Sequence, residues 1–352
     1  VRRVTTTLAA AGIAAALAVS ATACGASSTQ SSSGSSASGS TGGGMKVGIA
    51  YDVGGRGDHS FNDSAARGLD QATKQFGGTP KELTAKTTDT ESDREQRLSD
   101  LATAGYNPVV AVGFAYADSV KAVASKFPKT TFGIVDSQVA GANVDSMTFA
   151  SPESSYLAGV AAALKSKSGQ VGFIGGVDNE LIKGFQAGFQ QGVTDTKPND
   201  KVTVQYLTTG SDLSGFSSPD LGKSAASGML SKGIDVIYTA AGSSGSGAIE
   251  AVHGQKGAWS IGVDSDQYQD PGLAQYKDSI LTSAVKNVDV AVLDLIKSVH
   301  DGKPLTGNNT YGLNNGGVSL ATSGGFINDI QSQLDAVKKK IVDGQIKVKS
   351  TP

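Results

Sequence analysis

The residues best suited to chemistry near the start of the chain follow the apolar run Ile49-Ala50-Tyr51. Asp52 ends that run, and Val53-Gly54-Gly55-Arg56-Gly57-Asp58-His59-Ser60-Phe61-Asn62-Asp63-Ser64 comes next. At the end of a strand, Asp52 is a hydrogen-bond acceptor facing the space beyond the sheet. Phe61 offers a flat apolar face. Glycines let a backbone turn tightly and approach a ligand. Ser60 with Asp63 three residues later approximates a capping box, which would open a helix. The same residues read equally well as an ordinary strand-loop-helix turn with Phe61 in the core.

Other local signals are weaker. Leu221-Gly222-Lys223-Ser224 has the end of a phosphate loop, but Ser217 stands where the pattern needs glycine. Gly245-Ser246-Gly247-Ala248-Ile249-Glu250 starts like a dinucleotide loop, but Glu250 occupies a small-residue position. Arg56-Gly57-Asp58 matches a cell-adhesion tripeptide only at the level of coincidence. His59, His253 and His300 are far apart and have no metal-ligand spacing. No serine or cysteine nucleophile motif is present. Neither a metal, a cofactor nor catalysis is expected.

Short apolar runs and amphipathic stretches must position these residues. Strands are expected at Lys46–Tyr51, Val109–Gly113, Thr131–Asp136, Gln170–Ile174, Val202–Leu207, Asp235–Tyr238, Trp259–Val263 and Ile280–Val285. Most are continuous apolar runs, which suits strands covered on both faces of a parallel sheet. Helices are expected at Asn62–Phe76, Asp93–Ala104, Ala117–Phe127, Ser154–Lys165, Leu181–Gly192, Gly222–Lys232, Ser246–Gln255, Val288–Asp301 and Ile327–Asp343. This alternation predicts a doubly wound α/β fold. One cycle of strands ends near Asp136 and another begins at Gln170, so two sheets fit better than one. Residues 45–149 and 268–303 are expected to form one lobe, and 150–267 and 304–352 the other. Hinges are expected near Ala150 and Gln267. Ligands of open α/β sheets bind beyond the carboxyl ends of the strands.

The first 44 residues read differently. A basic head (Arg2, Arg3), an apolar run from Leu8 to Val19 and small residues before Cys24 match a secretory signal over residues 1–24. The run is too short to span a bilayer, which takes roughly 20 apolar residues. Cys24 is the only cysteine, which excludes disulfides within the chain and a multi-cysteine metal site. Its place after Ala21-Thr22-Ala23 resembles a bacterial lipobox, with Ala21 where a larger aliphatic residue is usual. Lipidation there would anchor the chain, each buried CH2 contributing roughly 0.8 kcal/mol. Gly25–Gly44 is almost wholly Ser, Gly, Ala and Thr and cannot bury enough apolar area to order. As a coil of about 20 residues it would span roughly 25 Å, a suitable tether. The whole chain carries 30 basic and 32 acidic residues. Removing Arg2 and Arg3 with the leader takes the net charge from −2 to about −4. No basic block appears, so nucleic acid is not an expected partner.

Longer motifs carry a family resemblance. The stretch VGIAYDVGGRGDHSFNDSAARG, the later GFIGG, and IGVDSDQ followed by TSAVKNVDVAV resemble the basic membrane protein (BMP) family. Its members are PnrA-like purine-nucleoside-binding lipoproteins of ABC importers. The similarity runs from about Lys46 to the C-terminal helix. It implies a type I periplasmic-binding-protein fold, with a nucleoside held between two hinged lobes and handed to a permease. The protein would be a monomer, lipid-anchored on the extracytoplasmic face of a bacterial membrane.

Residue by residue, the resemblance puts the family's strand-end aspartate on Asp52 and its base-stacking aromatic on Phe61, with Asn62 following. The aspartate after the fourth strand falls on Asp136. A second stacking aromatic falls on Phe216, with Phe185 as a competitor, and a strand-end glycine falls on Gly242. The aspartate of IGVDSDQ is Asp264, and the lysine of SAVKN is Lys286. Position 66 is alanine where the family often has tryptophan, a matter of packing more than binding. Two phenyl rings suit the faces of a purine such as adenosine, guanosine or inosine. Asp52 and Asp136 would accept from the base edge. Asp264 would accept from the ribose diol, and Lys286 would donate to a ribose oxygen. The bland alternatives are that Asp264 caps the next segment, Asp136 forms a turn, Lys286 is a solvated helix residue and Phe216 packs in a loop. Alanine at Asp264 or Lys286 is expected to weaken binding with little loss of stability. A sugar-binding protein, a sensory receptor and a nucleoside hydrolase are the rival readings.

Overall fold

The computed structural model describes residues 44–352. The expected leader, Cys24 and most of the Ser/Gly linker lie outside the described residues. The first half runs β1 (Gly48–Tyr51), α1 (Phe61–Phe76), β2 (Lys81–Thr84), α2 (Glu91–Thr103), β3 (Val109–Ala111), α3 (Ala117–Ala124), β4 (Phe132–Val135) and β5 (Val144–Phe149). The second runs α4 (Ser151–Lys165), β6 (Gln170–Asp178), α5 (Glu180–Thr196), β7 (Lys201–Thr209), α6 (Pro219–Leu230), β8 (Val236–Ala240), α7 (Ser244–His253), β9 (Trp259–Asp264) and β10 (Ile280–Lys286). The chain closes with α8 (Val288–His300), β11 (Gly307–Tyr311), β12 (Val318–Leu320) and α9 (Gln331–Val342).

These strands form two six-stranded sheets, ordered β11-β5-β4-β3-β1-β2 and β12-β10-β9-β8-β6-β7. Every pairing in the first sheet is parallel. In the second, only β12 runs antiparallel, against β10. The inner strands β1, β3 and β4 are buried along their whole length, as their unbroken apolar runs require. Helices cover both faces. In the first half, α1 and α8 bury Leu69, Val292 and Leu295 on one face, and α2 and α3 bury Leu98, Leu101 and Val120 on the other.

Strand pairing revises the expected lobe boundaries. Residues 268–303 do not stay together: β10 pairs with β9 in the second sheet, whereas α8 packs on α1 of the first half. Likewise 304–352 is divided, because β11 pairs with β5 in the first sheet and β12 with β10 in the second. The chain therefore crosses at Ala150, at Asn287 and between Tyr311 and Val318, and Gln267 is not a crossing. An apolar strand carries no mark of which of two similar sheets it joins. β2, β5, β11 and β12, unanticipated from sequence, are polar, mixed or short: Lys-Glu-Leu-Thr in β2 and Gly-Asn-Asn-Thr-Tyr in β11 lack the apolar run because both are edge strands.

The two halves meet in one compact unit. Val177 and Leu213 of the second half join the first-half cluster containing Ala50, Val53 and Tyr116. The carboxyl ends of both sets of strands open into the space between the halves.

Candidate functional site

Beyond the end of β1, the chain spends its polar groups on its own shape. Asp58 is almost fully buried. Its Oδ1 accepts from the N–H groups of Ser60 (2.9 Å) and Asp63 (3.0 Å), and its Oδ2 from that of Asn62 (2.8 Å). Asp58, not Ser60, therefore caps α1, and Ser60 makes no side-chain cap. Asn62 is equally committed. Its Oδ1 accepts from the Asp52 N–H at 3.0 Å, and its Nδ2 reaches Asp58 Oδ2 at 3.0 Å and the Val53 carbonyl at 3.3 Å. That network locks the turn and leaves Asp52 aimed into the interior. One Asp52 oxygen accepts from the Val53 N–H at 2.8 Å. Burial pushes the Asp52 carboxyl up to about 6, against the Val53 N–H that lowers it.

Three further strand ends supply charge. Asp136 follows β4, Asp264 ends β9 and Lys286 ends β10. Lys286 Nζ lies 2.6 Å from Asp136 Oδ2 and 3.4 Å from Asp264 Oδ1, with all three side chains at most 7% exposed. Burial pulls the ammonium down, but the two carboxylates lift it further, so Lys286 stays above the ordinary lysine value. Burial pushes the Asp136 carboxyl up, against the pull of Lys286. Asp136 and Asp264 both adopt left-handed backbone, φ 65° and 62°. A non-glycine residue there is uncommon, and such conformations cluster where side chains must be aimed. Asp136 Oδ1 is buried and has no hydrogen-bond partner.

Aromatic groups line the remaining wall. Lys286 Nζ sits 4.3 Å from the centre of the Phe61 ring and 5.6 Å from those of Phe149 and Phe185. Phe114, just past β3, meets Phe216 edge-on at 6.3 Å. Gly242, after β8, has φ 53°, and a Cβ there would come within 2.8 Å of the Phe216 carbonyl oxygen. Glycine thus lets the loop carrying Phe216 close on β8.

All eight residues singled out from sequence line one cavity between the halves: Asp52, Phe61, Asn62, Asp136, Phe216, Gly242, Asp264 and Lys286. Its unoccupied space is about 530 Å3, mouth included. Phe185 lines it too, but at 3% exposure its ring is mostly committed to the second-half core, whereas Phe216 is half-buried. Sequence reasoning missed Phe114, Leu181 and Ile182, which complete the apolar wall. Their placement after β3 and at the start of α5 was the available signal. Among the described residues, His59, Asp63 and Asp270 come together on the surface, which the sequence spacing did not reveal. Both Asp63 oxygens accept backbone N–H groups, and His59 Nδ1 pairs with Asp270 Oδ1 at 2.9 Å. The cluster is accounted for as loop structure.

Residues 45–352 match the family model Bmp, described as ABC transporter substrate-binding protein PnrA-like. The chain belongs to the Bmp family. Among this Bmp protein's relatives is the ABC transporter nucleoside-binding protein BmpA of Lactococcus lactis subsp. cremoris, 36% identical over 87% of this chain and 89% of that protein. Basic membrane protein A of Borreliella burgdorferi is 33% identical over 87% of this chain and 88% of its own length. A solute-binding protein of an ABC transporter system from Aeropyrum pernix is 28% identical, with a TM-score of 0.75 over 86% of this chain and 92% of that one. A dimeric Lac repressor, 13% identical at a TM-score of 0.58 over 79% of this chain and 97% of that one, shares the fold alone. The Bmp protein has the type I periplasmic-binding-protein fold. Its family and fold are those of non-catalytic solute-binding proteins that serve an ABC permease on the extracytoplasmic side of a membrane. Among the described residues no helix is long and apolar enough to cross that membrane.

Proposed function

We propose that this protein captures a purine nucleoside between its two halves and presents it to its permease, held at the membrane by a lipid on Cys24. The observation that carries the reading is the pairing of aromatic walls with buried acceptors. The half-buried Phe216 and the Phe61 ring supply flat faces for a base, each aromatic contact contributing on the order of 0.5–1.5 kcal/mol beyond area burial. Asp52 and the partnerless Asp136 Oδ1 accept from donors on the heterocycle. Asp264 accepts from the sugar diol, and Lys286, already paired with two acids, adds a donor to a sugar oxygen without leaving a net positive site. Asn62 contributes through the turn it locks, because its amide is spent on Asp52, Val53 and Asp58. The name of the Lactococcus relative, a nucleoside-binding protein, supports the same ligand class.

Closure is a hinge motion about the three crossings, and a ligand favours the closed arrangement only through its differential affinity for it. The test is mass spectrometry of whatever the denatured protein releases, followed by calorimetry with adenosine, guanosine, inosine and a deoxy analogue. A released nucleoside, with the ribose form bound more tightly than the deoxy form, is the expected result. Release of a free sugar, or no heat with any nucleoside, would overturn the reading.

A further inference from the structure

Ser60 stands where a helix cap should be but does no capping. It is fully buried at the start of α1, and the amide protons it would ordinarily take are already held by Asp58. Its hydroxyl is free to donate elsewhere. It points across to the other half and donates to Asp264 Oδ2 at 2.7 Å, with the Val263 carbonyl at 3.3 Å. The Ser60 backbone is fixed from both directions. Its carbonyl accepts from Ser265 Oγ at 2.7 Å, and its N–H donates to Asp58 Oδ1. Next to it, the His59 carbonyl accepts from Gln267 Nε2 at 2.8 Å. The tip of the β1–α1 turn is thus stitched to the segment after β9.

The consequence falls on Asp264. Its left-handed backbone projects the carboxylate into the cavity, where a carboxylate with two free oxygens can rotate about its last bond. Ser60 holds Oδ2, so Oδ1 is the oxygen presented toward Lys286 and the cavity. We propose that Ser60 is a positioning residue for ligand binding: from the opposite half of the molecule, its hydroxyl orients the Asp264 carboxylate that receives the sugar hydroxyls. This rests on the nucleoside reading, because only a ligand bearing such hydroxyls senses the orientation. It also makes the Asp264 site complete only when the halves are together.

Calorimetry tests this with two ligands, inosine and 2′,3′-dideoxyinosine, on the wild type, Ser60→Ala and Ser60→Thr. A hydrogen bond to a charged group is worth enough that Ser60→Ala should weaken inosine about tenfold. Dideoxyinosine, which lacks the hydroxyls, should change by less than about twofold, since its contacts do not pass through Asp264. Ser60→Thr, which keeps the donor, should restore the wild-type contrast between the two ligands. Ser60→Cys keeps the volume with a weaker donor and serves if alanine disturbs the fold; it should lower inosine affinity selectively. Equal loss for both ligands would mean that the hydroxyl only holds the halves together or supports the fold, and would overturn the proposal. So would unchanged inosine affinity in Ser60→Ala. A wild type that binds neither ligand removes the nucleoside reading itself, and the positioning role with it.

Discussion

Replacing Lys286 by methionine removes a positive charge while keeping the volume of the stem. The ammonium is 2.6 Å from Asp136 Oδ2 and 3.4 Å from Asp264 Oδ1, and its side chain is 3% exposed. At that exposure little water replaces it. Removing one partner of a buried ion pair costs about 3–5 kcal/mol, because a charge is left buried and unpaired. For a body of this size that is a drop in Tm on the order of 10 °C. The alternative open to the variant is to protonate an acid. Asp136 already stands above its ordinary value of 3.8 because burial opposes its charge. A carboxyl raised in the folded state loses stability as pH climbs from the unfolded value through the folded one. Taking away Lys286 pushes the Asp136 value higher still and extends that window upward. Lys286 itself, raised above 10.5, contributes stability that is fully present below that pH, so it adds no slope of its own near neutrality. The Tm deficit of Lys286→Met, measured by calorimetry, should therefore be larger at pH 7.5 than at pH 5. Adding Asp136→Asn should recover much of it. A deficit of under about 1 °C at pH 7.5, or an equal deficit at both pH values, would refute the claim that this is a buried, mutually dependent pair. The sequence alone predicted little loss of stability here; the burial of Lys286 is what reverses that expectation.

The Asp52 carboxyl is pushed up to about 6 by burial, so between pH 4 and 6 it should cost the fold stability as pH rises, and Asp52→Asn should flatten that slope in calorimetry. The same variant should weaken nucleoside binding above pH 6, where the wild-type group is a charged acceptor; equal affinities would exclude Asp52 from the base edge. Gly242→Ala should cost about 1–2 kcal/mol for its left-handed backbone. It should also lower ligand affinity, because its methyl group would press on the Phe216 carbonyl. An unchanged denaturation midpoint would show that the loop relaxes freely.

The strand ends where a site could lie were legible, and Asp52 and Phe61 stood out near one of them, though an ordinary turn read equally well; the roles of Asp136, Phe216, Gly242, Asp264 and Lys286 came from the family resemblance. Asp52, Asp136, Asp264 and Lys286 each follow or end a largely apolar run that reads as a covered strand, and the carboxyl ends of such strands are where ligands of open α/β sheets bind. The inner strands β1, β3, β4, β6, β8, β9 and β10 were legible for the same reason, whereas inner β5, Val-Asp-Ser-Met-Thr-Phe, was not, because polar residues interrupt its apolar run. Polar edges such as β2 and β11 were not, since half-solvated strands need no apolar run.

The sequence supplies the available groups: aromatic rings, strand-end acids, a strand-end lysine, and the strand-helix alternation behind two largely parallel sheets. Which of these groups meet depends on how the two halves pack. Lys286 reaches acids 150 and 22 residues away because β10 joins the second sheet before the chain crosses back to α8. The hydroxyl of Ser60 spans 204 residues to Asp264 because Asp58 relieves it of the cap. Local propensity records what a residue does to its own turn of chain. Contacts between the halves depend on which sheet each strand enters, and that is settled by the packing of the whole molecule.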